Sequence, residues 1–153
     1  MQSINRGIAA ATALLLILSA GACGKKDNAA VSDTTSLGPT PDSGPIRVSD
    51  IELGRRIGPD KKINDETDDF AVRDTIYVSV STEGASTGSR LSAKWTYNDK
   101  QVVDSSSQSI SPTGGTTVTE FHITKATAWP KGNYKVEILL DGVSAGTKDF
   151  EVK

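Results

Sequence analysis

The sequence predicts an all-β domain, an antiparallel sandwich of about seven strands, on three observations. Apolar residues recur with period two in short runs, turn residues punctuate those runs about every 8 to 12 residues, and no stretch carries a helical period. Period two places alternate side chains on opposite faces of a strand, so each run has one face to bury.

Taken in chain order, Ile46 to Leu53 reads as the first strand. Ile76, Val78 and Val80 alternate with Tyr77, Ser79 and Ser81 in the second, and Leu91, Ala93, Trp95 and Tyr97 with Ser92, Lys94, Thr96 and Asn98 in the third. Gln101 to Ile110 is polar and earns its assignment from Asn98-Asp99-Lys100, a turn that returns the chain beside the third strand. Thr119, Phe121 and Ile123 mark the fifth strand, Tyr134, Val136, Ile138 and Leu140 the sixth, and Phe150 with Val152 the last. Gly84, Gly88, Gly114-Gly115, Gly132 and Asp141-Gly142 read as turns between them. Tyr77 and Leu139 fall on outward faces and in different sheets, so they do not form one patch. Trp95 in the middle of the third strand and Tyr134 at the start of the sixth stand where an immunoglobulin-like sandwich buries a tryptophan and places its tyrosine corner. The fold expected is therefore an immunoglobulin-like β-sandwich over residues 46–153.

The N-terminus has a different character. Arg6 precedes an apolar run from Ile8 to Leu18, and small residues lead into Cys23, the chain's one cysteine. That is the layout of a secretory signal, and about a dozen apolar residues fall short of the roughly 20 that a membrane span requires. The segment resembles the signal and lipobox of bacterial lipoproteins, with Ala20 where that family most often has Leu. The resemblance implies cleavage after Ala22, a signal peptide of residues 1–22 and diacylglycerol and palmitate on Cys23. Gly24 after the cysteine implies the outer membrane in a Gram-negative host. The other reading of the same residues is an exported chain cut by the general signal peptidase, with Cys23 an ordinary residue. From Gly24 to Pro45 the composition turns to Asp, Ser, Thr, Gly and Pro, which predicts a disordered linker over residues 23–45.

Charge and composition exclude several functions. Net charge is −2, and removal of the first 22 residues with Arg6 leaves about −3, so no basic stripe suits nucleic acid. With Cys23 acylated no disulfide is available, and the domain must be held by its core. Gly84-Ala85-Ser86-Thr87-Gly88 matches the G-x-S-x-G pattern, and Asp104 and His122 follow in the matching order. A nucleophile elbow needs a helix after its serine, whereas here another strand follows, so the segment reads as a hairpin loop. His122, the one histidine, stands alone, and no set of zinc ligands is visible. Asn64 to Asp69 is acidic enough to attract calcium but lacks regular ligand spacing, and the sequence leaves that question open. No catalytic residue, cofactor or metal site is expected.

Together, F-A-V-R-D-T-I-Y-V-S-V from Phe70, K-W-T-Y-N-D from Lys94, F-H-I from Phe121 and W-P-K-G-N-Y-K-V-E-I-L-L-D-G from Trp129 resemble small bacterial lipoproteins with a single immunoglobulin-like domain. The resemblance implies the fold and the envelope address, and no reaction. The expected function is a lipid-anchored module that binds or scaffolds an envelope protein or polymer without catalysis. The alternative is an inhibitor lipoprotein acting on a hydrolase such as lysozyme, which requires a protruding loop. The segment from Gly54 to Val72 is the long connection available for either role. Its basic residues Arg55, Arg56, Lys61 and Lys62, and Trp129 beside Pro130, are the candidate partner contacts, and Trp129 reads equally as a cap on one end of the core.

Overall fold

The computed structural model describes residues 44–153, an all-β domain without helices. The signal-like segment, Cys23 and the expected linker up to residue 43 lie outside the described residues. Eight strands form: β1 Arg47–Gly54, β2 Asp69–Phe70, β3 Ile76–Ala85, β4 Ser89–Tyr97, β5 Gln101–Ile110, β6 Thr113–Ile123, β7 Gly132–Leu140 and β8 Val143–Val152. They make a three-stranded sheet ordered β1-β3-β6 and a five-stranded sheet ordered β2-β8-β7-β4-β5. All neighbours pair antiparallel except β2, which runs parallel to β8.

The alternation read from the sequence sets which side chains meet between the sheets. Ile51, Leu53, Ile76, Val78, Val80, Phe121 and Ile123 come from the smaller sheet, and Leu91, Ala93, Trp95, Val136, Ile138, Phe150 and Val152 from the larger, all buried. Trp95 is fully buried, with Phe150 edge-on at 5.9 Å between ring centroids. Tyr134 stacks on Phe150 at 5.3 Å, and its hydroxyl donates to the Pro130 carbonyl at 2.8 Å, four residues upstream. That is the tyrosine corner expected at this position. Burial, then the neighbouring Tyr97, push the Tyr134 phenol pKa up.

Four differences from the sequence reading have local causes. β2 is two residues long and carries no period, so nothing in the sequence marks it. Gly84 and Gly114-Gly115 lie inside β3 and β6: with φ of 98°, 118° and 71° they absorb the register shift between the two strands and do not end either one. β8 begins at Val143, well before Phe150, because Asp141 and Gly142 at φ 51° and 83° close a two-residue hairpin onto β7. Finally, Gly44 and Pro45, expected in the linker, are joined to the domain. Ala85 N–H donates to the Gly44 carbonyl at 2.9 Å and Pro45 bridges to Ala85. A Cβ on Gly84 would stand 2.6 Å from both the Gly44 and Pro45 oxygens, so the glycine makes room for this attachment.

Candidate functional site

Strand directions divide the domain into two poles. The chain enters at Gly44, and β1 carries it to the far pole. The turns 86–88, 111–112 and 141–142 gather at the entry pole, where Ser86 N–H donates to the Pro112 carbonyl at 2.9 Å and Arg90 N–H to Asp141 Oδ1 at 2.7 Å. The far pole receives the connections 55–68, 71–75, 98–100 and 124–131 and the C-terminal Lys153. The longer loops at this end make it the candidate surface.

The longest of these connections is folded back on the domain. Gly58 N–H donates to the Lys62 carbonyl at 2.8 Å, Asn64 N–H to Arg56 at 3.0 Å and Arg55 N–H to Asp65 at 3.0 Å, which makes residues 54–66 a small hairpin. Its tip lies on the outer face of the three-stranded sheet, where the Ser79 hydroxyl donates to the Lys61 carbonyl at 2.8 Å. Ser79 points outward in its strand yet is only 2% exposed, because the hairpin covers it. Gly54 allows the close approach: a Cβ there would stand 2.3 Å from Ile63 Cγ2. The protruding loop that inhibition requires is therefore absent from this segment.

The expected contact residues divide accordingly. Arg55 is held by Asp74 Oδ2 at 3.1 Å and by the Asp69 carbonyl at 2.7 Å, and Arg56 reaches Asp65 Oδ2 at 3.4 Å. Of the acidic end of the segment, Asp65 thus pairs with the basic end. Lys61, Lys62 and most of Arg56 remain exposed to a partner. Trp129 lies at the end of the core. It is 7% exposed, its indole N–H donates to the Asp74 carbonyl at 3.0 Å, and its ring meets Tyr134 edge-on at 6.2 Å. The large apolar ring gains more from closing the end of the core than from solvent, and Lys125 lies over it at 5.8 Å.

Sequence reasoning missed an acidic hollow of about 390 Å³ beside this hairpin, lined by Asp68, Asp69, Asp99, Asn133, Asp149 and Glu151. It forms because the parallel pairing of β2 with β8 brings residues distant in sequence side by side, and a sequence scan has no signal for that. Two lysines bridge its rim. Lys135 Nζ lies 2.6 Å from Asp99 and 3.6 Å from Asp149, and Lys153 Nζ lies 2.6 Å from Asp69 and 3.8 Å from Glu151. Hydrogen bonds to Asp99 and to Asp69 raise the two ammonium pKa values above the usual lysine range. A neighbouring hollow of about 350 Å³ shares Asp68 and Asp149 and adds Glu66. Among the described residues, no group of three or more His, Cys, Asp or Glu is arranged to hold a metal ion.

The residues of the G-x-S-x-G pattern and its expected partners do not converge. Asp104 and His122 line one shallow hollow beside Trp129, while Ser86 lies at the entry pole, where its hydroxyl pairs with Ser89 Oγ at 2.8 Å and accepts from Gly88 N–H. His122 Nδ1 meets Glu120 Oε1 at 3.2 Å.

No protein-family model matches the chain, and no curated protein does. Among solved structures, an immunoglobulin-like protein from Pseudomonas aeruginosa aligns over 72% of this chain and 98% of its own, with 17% identity and a TM-score of 0.51. The alkylpurine DNA glycosylase AlkC of Pseudomonas fluorescens aligns over 71% of this chain and 30% of its own, with 15% identity and a TM-score of 0.47. A β-glucosidase from Listeria innocua aligns over 71% and 16%, with 8% identity and a TM-score of 0.45. At such identities only the fold is shared, and the first of these likenesses, the two-sheet strand order and the tyrosine corner together identify the described domain as an immunoglobulin-like β-sandwich.

Proposed function

We propose that this chain is a non-catalytic binding module, tethered through lipid on Cys23 to the bacterial cell envelope, and that the pole opposite the chain entry carries its partner surface. The observation that carries the reading is the division of the sandwich: the chain enters among tight turns, and every long connection starts from the other end, the longest of them folded back on the sheet. A tether at the entry pole leaves the hairpin 54–66, the acidic hollow and the loop 124–131 directed away from the attachment. The signal-like segment with Cys23 supports the anchor, and Gly24 supports the outer membrane in a Gram-negative host. Two or more acyl chains hold a protein stably where one holds it only marginally. The mixed charge of the far pole, with carboxylates outnumbering the lysines that bridge them, suits a protein or polymer partner with basic groups and gives no footprint for nucleic acid.

Two experiments test the two halves separately. Palmitate labelling should mark the wild-type chain and be lost in Cys23→Ser; equal labelling would remove the anchor from the reading. Affinity capture from envelope extracts should retain a partner that is lost on charge reversal at the far pole, in Asp68→Lys with Asp149→Lys, and kept on charge introduction at the entry pole, in Thr87→Glu. The opposite pattern would assign the binding surface to the entry pole.

A further inference from the structure

Strand β5 is the outer edge of the five-stranded sheet and pairs only with β4. Its free side presents unpaired backbone N–H and C=O groups, which is a template for another strand. The other sheet edges differ from it: β6, eleven residues long, likewise pairs on one side only but carries Glu120 and His122. β2 has two residues. β1 lies against β8, with Ile51 Cδ1 only 2.6 Å from where a Cβ on Gly146 would stand. On β6, the Glu120 carbonyl accepts from Gln108 Nε2 at 2.6 Å. By contrast β5 is ten residues long, largely exposed, and without Lys, Arg or Pro, the residues that usually guard an edge. Its one charge is Asp104.

We propose that β5 pairs with β5 of a second copy of this chain, antiparallel, about a two-fold axis through Ser106. In that register Ser105 meets Ser107, Asp104 meets Gln108, Val103 meets Ser109 and Val102 meets Ile110. Residues opposed in this register point to the same face, as an antiparallel ladder requires. The single carboxylate meets Gln108, whose amide nitrogen keeps a second hydrogen beyond the one it gives to the Glu120 carbonyl. An axis at Asp104 would oppose two carboxylates, and one at Ser107 would set Asp104 against Ile110. Small hydroxyl side chains at the centre let the backbones approach without a steric barrier. Val103 is a bulge in the pairing with β4, so the clean ladder runs over residues 104–108 and the dimer is weak and concentration-dependent. An isologous contact of this kind closes on itself at two copies. The inference concerns the sheet edge and stands apart from the far-pole reading above.

The test uses the full chain, whose one native thiol is Cys23. Ser106→Cys places two cysteines directly opposite each other on the axis, within disulfide reach. Ser109→Cys places them six residue steps apart, about 20 Å. Under a mild oxidant, Ser106→Cys should convert mainly to a disulfide-linked dimer, while Ser109→Cys and wild type stay at a common background. A Ser106→Cys chain no more dimeric than wild type, equal cross-linking of Ser109→Cys, or capture of a different protein at residue 106 would each overturn the self-pairing. Thermal melts of both variants matching wild type show that the comparison is between folded proteins.

Discussion

The two poles of this sandwich are made from the same eight strands and by different means. At the entry pole the strands are joined by connections of two or three residues, and beneath them the core is aliphatic, with Val80, Leu91 and Ile138 fully buried. At the far pole, Phe70, Trp95, Tyr97, Trp129, Tyr134 and Phe150 form a chain of ring contacts beneath long connections. Most of the ion pairs are there too. Tight turns need only local backbone geometry, whereas long loops need anchoring, and the aromatic rings with their polar tips supply it. Tyr134, Tyr97 and Trp129 each bury a ring and bond a loop carbonyl, of Pro130, Lys131 and Asp74. The far pole's loops are thus anchored to the core despite their length.

The largest test removes the largest fully buried side chain of the core. Trp95→Ala should cost about 3 to 5 kcal/mol, from lost burial and the cavity left behind, and both poles should unfold together in one urea transition. Trp95 Nε1 is buried without a hydrogen-bond partner. An unmade bond of that kind costs about 1–3 kcal/mol, so Trp95→Phe, which removes the donor and keeps a ring, should lose much less than the alanine. A melt of Trp95→Ala matching wild type would show that the sandwich is wrong.

Glycine substitutions separate the poles more finely. Gly54→Ala forces a Cβ against Ile63 and the Asp65 carbonyl, and overpacking of this sort costs about 1–3 kcal/mol. Amide exchange should quicken over residues 54–66 in particular. At the entry pole, Gly88 has open space around its Cβ position and no positive φ, so Gly88→Ala should leave the urea midpoint almost unchanged. Equal losses from the two would remove the distinction between an anchored and a merely turned end.

Tyr134→Phe tests the anchoring itself. It deletes the hydroxyl that accompanies a buried ring and leaves the Pro130 carbonyl without that donor, for a loss of about 0.5–1.5 kcal/mol. Faster exchange over residues 124–131, with the entry-pole turns unaffected, is the expected pattern.

Legibility in the sequence followed the range of the interactions. Alternation fixed the strands of the core, and with them the burial of Trp95 and the corner at Tyr134, because period two is a local signal of a half-buried sheet. Gly84 and Gly114-Gly115 look like turns in one dimension, and only the register between β3 and β6 shows them as bulges within strands. Trp129 was ambiguous for the opposite reason: an aromatic residue in a loop serves a core or a partner equally well until the Asp74 carbonyl is placed beside its indole. The acidic hollow needed Asp68, Asp99 and Asp149 brought together by strand pairing, and nothing local announces that.

The smallest expected effect concerns the two lysines that bridge the hollow. Lys135 and Lys153 have pKa values raised in the folded state, first by hydrogen bonds to Asp99 and Asp69. A cation whose folded pKa lies above its unfolded value contributes stability that is complete below the unfolded pKa and is lost as pH rises through the folded one. The far pole should therefore be insensitive to pH across the neutral range and loosen only above the ordinary lysine pKa of about 10.4, while the entry-pole turns do not respond. Both ammonium groups reach solvent and both pairs are open to screening by salt, so the change in global stability should be small beside that of Trp95→Ala. Side-chain NMR titration of Lys135 and Lys153 should show both deprotonating above the ordinary lysine value of about 10.4, and Asp99→Asn should return Lys135 toward that value while leaving Lys153 unmoved. Titration of both lysines at the ordinary value would mean that the bridges do not persist in solution and that the hollow is an open acidic surface.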